Sequence, residues 1–191
     1  MGVPVVETGP MTVEDFYVFT DARPDNEKWE LIDGEPVMQA STSSQHQRIV
    51  GNLLFGLGQA LRASSPSWQV MPGIGLRLSN IKRPEPDVIV RPKGHPKGDP
   101  FARDCDDAVA VFEILSPSTQ ELDLRWKRGA YTALPALAHY VVVAQDAVEV
   151  VVFARSMGFA ERRLRAGDTL ELPELGISLP VSEIFSDTGL L

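Results

Sequence analysis

The clearest periodic pattern in this chain is helical and lies in its first third. After Ser44, apolar residues recur at intervals of three and four positions, namely Ile49, Val50, Leu53, Leu54, Leu57 and Leu61. This spacing places them on one face of a long helix, which Ser44 would cap. Nearer the start, Thr12 and Asp15 are spaced as the beginning of a short helix. The residues expected to bury that helix are Phe16, Val18 and Phe19.

Shorter apolar runs predict strands. The runs at 29–32 and 36–38 flank Asp33-Gly34, a pair typical of a β-hairpin turn. Further strands are predicted over 68–71, 74–78, 87–90, 109–115, 139–144, 148–155 and 159–164, with a long loop over 92–108 and a short helix over 180–185. A helix predicted over 120–133 separates two strands, which indicates one parallel crossover in a largely antiparallel sheet. The fold class is therefore mixed α/β.

Length and composition fit a single domain. A chain of 191 residues that is 43% hydrophobic can bury one full core, expected over 11–191 after a flexible arm over 1–10. No apolar run has the length of a membrane span, and the first twelve positions lack the basic start and apolar stretch of a signal peptide. The single cysteine, Cys105, suits the reducing cytoplasm. Neighbouring acids would raise the pKa of its thiol, which argues against a nucleophilic cysteine.

The net charge of −8 argues against a general nucleic-acid-binding module, which is usually basic. The charge is uneven, however, because basic residues form two groups. The first group is Arg77, Lys82, Arg83, Arg91, Lys93 and Lys97, and the second is Arg155, Arg162, Arg163 and Arg165. Either these residues are solvated strand edges and loops, or they hold a polyanion such as DNA.

The most unusual residue is Glu113, in the middle of the apolar strand predicted over 109–115. An unpaired buried carboxylate costs several kcal/mol, so it needs a cation, a proton or strong donors; a buried salt bridge to an arginine is one alternative. Asp87 follows Pro86 at the start of another strand, about 26 residues earlier. Two adjacent strands could bring both carboxylates together, although an Asp before a strand also commonly makes a local turn hydrogen bond.

Lys127 is the candidate amine. Asp123, Lys127 and Tyr131 share one face of the helix predicted after the Glu113 strand, whereas Trp126 is expected to pack against the sheet. That helix leaves the end of the Glu113 strand and therefore returns across the same region. The alternative is an ordinary exposed ion pair between Asp123 and Lys127.

Two further residues are open to more than one interpretation. Glu30 is another acid within an apolar strand, and His46 either joins the site or caps the long helix and faces solvent. Glu30 and Glu113 could in principle form the acid and base of a glycoside hydrolase, which needs two carboxyl groups and no metal. That hypothesis leaves Asp87 and Lys127 without roles.

These stretches resemble the Uma-type (DUF820-like) family of restriction-endonuclease-like bacterial proteins, within the PD-(D/E)XK nuclease superfamily. The resemblance covers roughly 28–185. The matching segments are Trp-Glu-Leu-Ile-Asp-Gly-Glu at 29–35, the serine-rich lead into His46, Arg-Pro-Glu-Pro-Asp-Val-Ile-Val at 83–90, Glu-Ile-Leu-Ser-Pro-Ser-Thr at 113–119, the Asp123, Lys127 and Tyr131 helix, and His-Tyr-Val-Val-Val at 139–143.

The resemblance implies a mixed-sheet core with flanking helices and metal-dependent hydrolysis of DNA phosphodiester bonds. It implies Asp87 and Glu113 as metal-binding acids, with Glu30 as a supporting acid. The standard motif has a lysine two positions after the second acid, where this chain has Leu115. Members of the family share this change, and Lys127 would supply the amine from the following helix.

We expect Mg²⁺ as the cofactor, with Mn²⁺ as a substitute, because a hard cation takes oxygen ligands. Asp87, Glu113, Glu30 and the carbonyl of Ile114 are the expected ligands. DNA is the expected substrate, and cutting both strands would suit a two-fold homodimer. The alternative from a different class is a catalytically inactive nuclease-fold protein with an interaction or regulatory role, which the acidic net charge favours.

Overall fold

The computed structural model describes residues 9–94, 101–115 and 122–191, with the backbone alone for 122–124. The strands in chain order are β1 (Trp29–Ile32), β2 (Glu35–Met38), β3 (Trp68–Pro72), β4 (Gly75–Leu76), β5 (Val88–Pro92), β6 (Asp104–Cys105), β7 (Ala110–Leu115), β8 (His139–Ala144), β9 (Glu149–Ala154), β10 (Glu161–Arg165), β11 (Thr169–Leu172) and β12 (Ile177–Pro180). The helices are α1 (Val13–Asp21), α2 (Ser44–Ser64), α3 (Arg128–Thr132) and α4 (Val181–Ile184), with a π-helix over Leu122–Lys127 that leads into α3.

The central element is a six-stranded sheet with the strand order β10-β9-β8-β7-β5-β3. β7 and β8 run parallel, and the other neighbouring pairs in this sheet run antiparallel. The chain between β7 and β8 carries the π-helix and α3, as a parallel connection requires. The predicted single crossover and the mixed α/β class are therefore confirmed.

Each face of the sheet is covered, which explains why β7 and β8 are almost continuously apolar. On the first face, α2 packs through Ile49, Leu53 and Leu57, together with α4 and the β11–β12 hairpin. That hairpin was not predicted, because its strands are joined by the 3₁₀ turn Pro173–Leu175 rather than by a two-residue turn such as Asp33-Gly34. On the second face, Tyr131 from α3 packs against strand residues such as Tyr140. Strand alternation places Glu113 on this second face.

A small third cluster joins α1 to the β1–β2 hairpin. Thr12 and Asp15 form the predicted capping box of α1, and Phe16 is buried against Leu31. Val18, in contrast, is 73% exposed, because it lies about 200° around the helix from Phe16. The hairpin turn is also as predicted, since its two central residues both have positive φ angles.

The loop predicted over 92–108 contains a short strand. β6 pairs in parallel with β4, and the N–H of Arg77 donates to the carbonyl of Cys105 at 2.7 Å. Strands of two residues have no detectable periodicity, so the prediction missed β6 and made β4 too long, at 74–78. Residues 95–100 lie outside the described part of the chain.

The helix predicted over 120–133 is divided into the π-helix and α3. Residues 116–121, which include the predicted strand-to-helix turn, lie outside the described ranges, as does the side chain of Asp123. Trp126 does not simply pack against the sheet; its indole N–H donates to the carboxylate of Asp33 at 2.6 Å. The prediction assumed the spacing of an α-helix. A π-helix has a wider turn, so its side chains point in different directions.

The short C-terminal helix and the flexible N-terminal arm are the remaining predictions, and the structure tests only the helix. The short helix predicted over 180–185 is confirmed as α4. The flexible arm over 1–10 falls mostly outside the described ranges and stays a prediction. Within the described ranges, no helix is both long and apolar enough to cross a bilayer.

Arg83 holds the β1–β2 hairpin against the segment that enters β5. Its N–H and carbonyl both bond to the backbone of Leu31, at 2.8 and 3.0 Å. Its buried guanidinium lies across Gly75, where a Cβ atom would overlap it, and donates to the carbonyl of Arg103 at 2.6 Å. Glycine at this position therefore allows the arginine to cross β4.

We expect Gly75→Ala to lower the free energy of unfolding by about 1–3 kcal/mol, because the new methyl group would displace a buried, hydrogen-bonded guanidinium. Gly51→Ala is the matched control: the space around Gly51 is open, and replacing a helical glycine should raise stability by about 0.5–1 kcal/mol. Urea unfolding of both variants measures the difference. Equal stabilities would contradict the packing of Arg83 described above.

Candidate functional site

The two acids singled out in the sequence lie on adjacent strands. Glu113 is in the middle of β7 and is buried, whereas Asp87 immediately precedes β5 and has a side chain that is 22% exposed. Val88 faces Phe112 in the antiparallel pairing of β5 with β7, which places Asp87 opposite Glu113. Residues that face each other across such a pair lie on the same side of the sheet. The structure therefore brings the two positions together.

Lys127, at the end of the π-helix, reaches this region and is buried, with 3% of its surface exposed. Its Nζ lies 3.0 Å from Oε1 of Glu113 and 3.0 Å from Oε1 of Glu30. An exposed pair of Asp123 and Lys127 is therefore the wrong interpretation. The cation beside Glu113 is a lysine rather than the arginine considered as an alternative.

Glu30 is 1% exposed and is fixed from two sides. Its Oε1 atom also accepts a hydrogen bond from the N–H of Glu85 at 2.7 Å. Glu85 itself is mostly buried, and burial raises the pKa of its carboxyl group, opposed by the nearby Arg83 guanidinium. One oxygen of Glu30 therefore contacts both the Lys127 ammonium and the backbone of Glu85.

Tyr131 completes this buried group and was not proposed as a site residue from the sequence. Its hydroxyl donates to Oε1 of Glu113 at 2.7 Å. Burial, followed by the nearby charge of Glu113, raises the pKa of Tyr131 well above its usual value, so the phenol stays neutral and acts as a donor. The sequence signal that could have identified Tyr131 is its four-residue spacing from Lys127. In the structure both side chains contact the carboxylate of Glu113.

Asp87 has different partners. Its Oδ2 accepts the N–H of Ile114 at 2.7 Å, and its Oδ1 lies 3.2 Å from Nε2 of His46. These groups come from β7 and α2, so the local turn hydrogen bond considered for Asp87 is wrong. His46 is 5% exposed, which also excludes the interpretation that it faces solvent. The cap of α2 is Ser43 rather than Ser44, and its hydroxyl accepts the N–H of His46.

The side chains at this site suit a hard cation that keeps several of its waters better than a cation whose ligands all come from the protein. Among the described residues, no three His, Cys, Asp or Glu side chains converge as metal ligands. Asp87 and Glu113 nevertheless provide two carboxylates at facing positions of neighbouring strands, and Mg²⁺ typically takes one or two carboxylates while keeping several waters. The Ile114 carbonyl and Glu30 as further ligands stay predictions.

The first basic group is largely paired with acids of the same chain. The ion pairs are Arg77 with Glu14, Lys82 with Asp33, Arg83 with Glu85 and Arg91 with Asp107. In the second group, Arg155 donates to backbone carbonyls, and both Arg163 and Arg165 pair with Glu149. Lys97 lies outside the described residues. These pairings reduce the positive charge that either group presents to a polyanion.

Cys105 does not have the properties of a nucleophile. It is buried in β6, and burial raises the pKa of its thiol to about 11, with the charge of Asp107 adding a smaller effect and Arg91 opposing it. The predicted direction of the shift is confirmed, although burial rather than the neighbouring acids is the main cause.

We expect Cys105 to resist thiol reagents in the folded protein. Raising the pKa from 9.0 to about 11 lowers the thiolate fraction near pH 8 by about 100-fold, and burial restricts access further. A chromogenic disulfide reagent should report almost no reaction with the native protein and one thiol per chain once the protein is unfolded in guanidinium chloride. Rapid reaction of the native protein would contradict this.

Lys127→Met should destabilise the protein by about 3–5 kcal/mol at neutral pH, because it removes the ammonium group from two buried carboxylates. Adding Glu113→Gln to this variant should recover part of the loss, since one of the two charges is then gone. Urea unfolding of the parent, both single variants and the double variant forms a thermodynamic cycle. Strictly additive effects would show that the two side chains are not coupled.

Comparisons with known proteins agree with the fold and identify the family. "Uncharacterized protein slr1290" of Synechocystis sp. is 32% identical over 77 residues, which cover 39% of this chain and 40% of that protein. A crystal structure described as a "putative nuclease belonging to DUF820" from Anabaena variabilis has a TM-score of 0.74 and 14% identity, and the match covers 93% of this chain and 98% of that chain. At that identity the likeness shows the fold alone, and it confirms the nuclease-like α/β architecture. The Uma2 family model, described as "Putative restriction endonuclease", matches residues 13–182, so the chain belongs to this family.

Proposed function

We propose that this protein is a metal-dependent DNA endonuclease that hydrolyses phosphodiester bonds at Asp87, Glu113 and Lys127. The observation that carries the proposal is the 3.0 Å contact between Lys127 and Glu113, in a buried group directly opposite Asp87 on the neighbouring strand. An acid pair with an adjacent amine suits metal-dependent hydrolysis of a phosphodiester, which agrees with the family description "Putative restriction endonuclease". The lysine comes from the crossover helix rather than from β7.

Asp87 and Glu113, with the carbonyl of Ile114 as a further ligand, would hold Mg²⁺ or Mn²⁺. Such an ion, when bound, polarises the scissile phosphate and lowers the pKa of a bound water. Asp87 is the more accessible of the two acids, so a cation and its waters would reach the site from the side of Asp87.

Lys127 would act on the reacting phosphate or its attacking water. Its ammonium can donate to a water or stabilise negative charge on the phosphoryl oxygens in the transition state. Glu30 acts in this proposal as a positioning residue for Lys127, and its role as a further metal ligand stays a prediction. Both the N–H of Glu85 and the ammonium of Lys127 bind the same oxygen of Glu30, which restricts where the lysine can lie.

DNA is the proposed substrate, and a two-fold homodimer would bring one site to each strand of a duplex. Because many basic side chains are paired with acids, contact with the phosphate backbone would be local, and it would weaken as the salt concentration rises. A cytoplasmic location stays a prediction.

The most direct test is cleavage of supercoiled plasmid in the presence of Mg²⁺ or Mn²⁺. We expect the parent to nick or linearise DNA, chelator to abolish cleavage, and both Asp87→Asn and Glu113→Gln to reduce the rate at least about 100-fold, because each removes one charged ligand. These isosteric changes are preferable to Lys127→Ala, whose expected instability would confuse the assay.

Glu183→Gln is the control for the cleavage assay, since it neutralises an exposed acid on α4, away from the site. It should cleave DNA at the parental rate. Cleavage that persists in both Asp87→Asn and Glu113→Gln would point to a contaminating nuclease and exclude this site.

The second candidate is a catalytically inactive nuclease-fold protein that serves in interaction or regulation. The net charge of −8 and the internal pairing of the basic side chains favour it. Such a protein would bind neither divalent cation nor DNA, and calorimetric titration with Mn²⁺ distinguishes the two candidates. The glycoside hydrolase hypothesis is disfavoured, because Glu30 and Glu113 are both buried and bind the same lysine.

A further inference from the structure

The carboxylate of Asp87 is held in place by groups from outside its own strand. Asp87 precedes β5, so its side chain orientation is not set by the ladder of the sheet. The N–H of Ile114 fixes Oδ2, and the imidazole of His46 lies 3.2 Å from Oδ1. The first of these donors belongs to the strand that carries Glu113, and the second is delivered by α2.

The position of His46 is itself well determined. It lies in the first turn of α2, where its N–H is bound by the capping hydroxyl of Ser43 at 3.1 Å. The same hydroxyl donates to Oε1 of Gln145 at 3.1 Å, which ties the start of the helix to the turn after β8. The imidazole is 5% exposed, so it has little freedom to leave the carboxylate.

The ring of His46 presents Nε2 to the carboxylate, 3.2 Å from Oδ1. An ionised carboxylate can only accept hydrogen bonds, so this nitrogen is the one that would donate to Asp87. Nδ1 is buried and has no hydrogen-bond partner among the described residues. The imidazole therefore meets Asp87 through one ring nitrogen.

The two acids have different partners. Glu113 contacts the ammonium of Lys127, whereas Asp87 contacts a backbone N–H and an imidazole. A backbone N–H fixes the direction of a carboxylate without cancelling its charge. An ammonium at the place of His46 would instead compete directly with a divalent cation for Asp87.

We propose that His46 is a positioning residue that orients Asp87 toward a divalent cation shared with Glu113. This inference rests on the proposed metal site. Partners of this kind hold metal ligands in other proteins, where their loss typically lowers metal affinity about 10–100-fold. A purely structural histidine would affect folding without this loss.

The test is a calorimetric titration of the full chain with Mn²⁺, without DNA, for the parent, His46→Gln, His46→Leu and Asp87→Asn. His46→Gln keeps a neutral donor of similar reach and should bind Mn²⁺ within about threefold of the parent. His46→Leu keeps the volume but loses the donor, and its affinity should fall about 10–100-fold. Thermal unfolding without metal measures the structural effect of each change separately.

His46→Lys covers the case in which the leucine variant does not fold, because the new ammonium can pair with Asp87 and preserve the contact. We expect it to fold and to bind Mn²⁺ more weakly than the parent. Parental affinity in the leucine or lysine variant overturns the inference, as does an equal loss in the glutamine and leucine variants. Parental affinity in Asp87→Asn would instead exclude the metal site itself, so the two failures are distinguishable.

Discussion

A lysine ammonium buried between two carboxylates is the interaction on which this part of the molecule depends. Removing one ammonium and two carboxylates from water is costly, and the cost is offset when each group is paired and hydrogen-bonded. Here the N–H of Glu85 and the hydroxyl of Tyr131 supply the additional donors. Because Glu30, Glu113 and Lys127 come from a hairpin, the central sheet and the crossover helix, the same contacts that balance the charges also join three separate elements.

The site divides its two acids between different environments. Glu113 is enclosed with Lys127 and Tyr131 on the second face of the sheet, whereas Asp87 stands at the beginning of β5 and remains partly open to solvent. The antiparallel register of β5 with β7 keeps the two positions opposite each other. An enclosed acid next to an amine therefore lies opposite an acid that solvent can reach.

The acidic character of the chain limits how it could meet a polyanion. The net charge is −8, and arginines such as Arg83 and Arg91 are buried in ion pairs within the protein. Long-range attraction of DNA is therefore weak, and a divalent cation at the acid pair would remove part of the local repulsion. In the proposed mechanism, occupancy of the metal site would therefore favour binding of nucleic acid.

The sequence by itself determined the elements with strong local signals: the amphipathic α2, the capping box of α1, the Asp33-Gly34 hairpin and the single parallel crossover. It also identified Glu113 as exceptional, because a charged residue inside an apolar strand is costly wherever that strand is placed. The tertiary structure decided which side chains pair with Glu113 and which pair with Asp87. The pairings of Lys127 with Glu30 and of His46 with Asp87, like the two-residue strands and the π-helix, depend on contacts between distant segments, which leave no periodic trace in the chain.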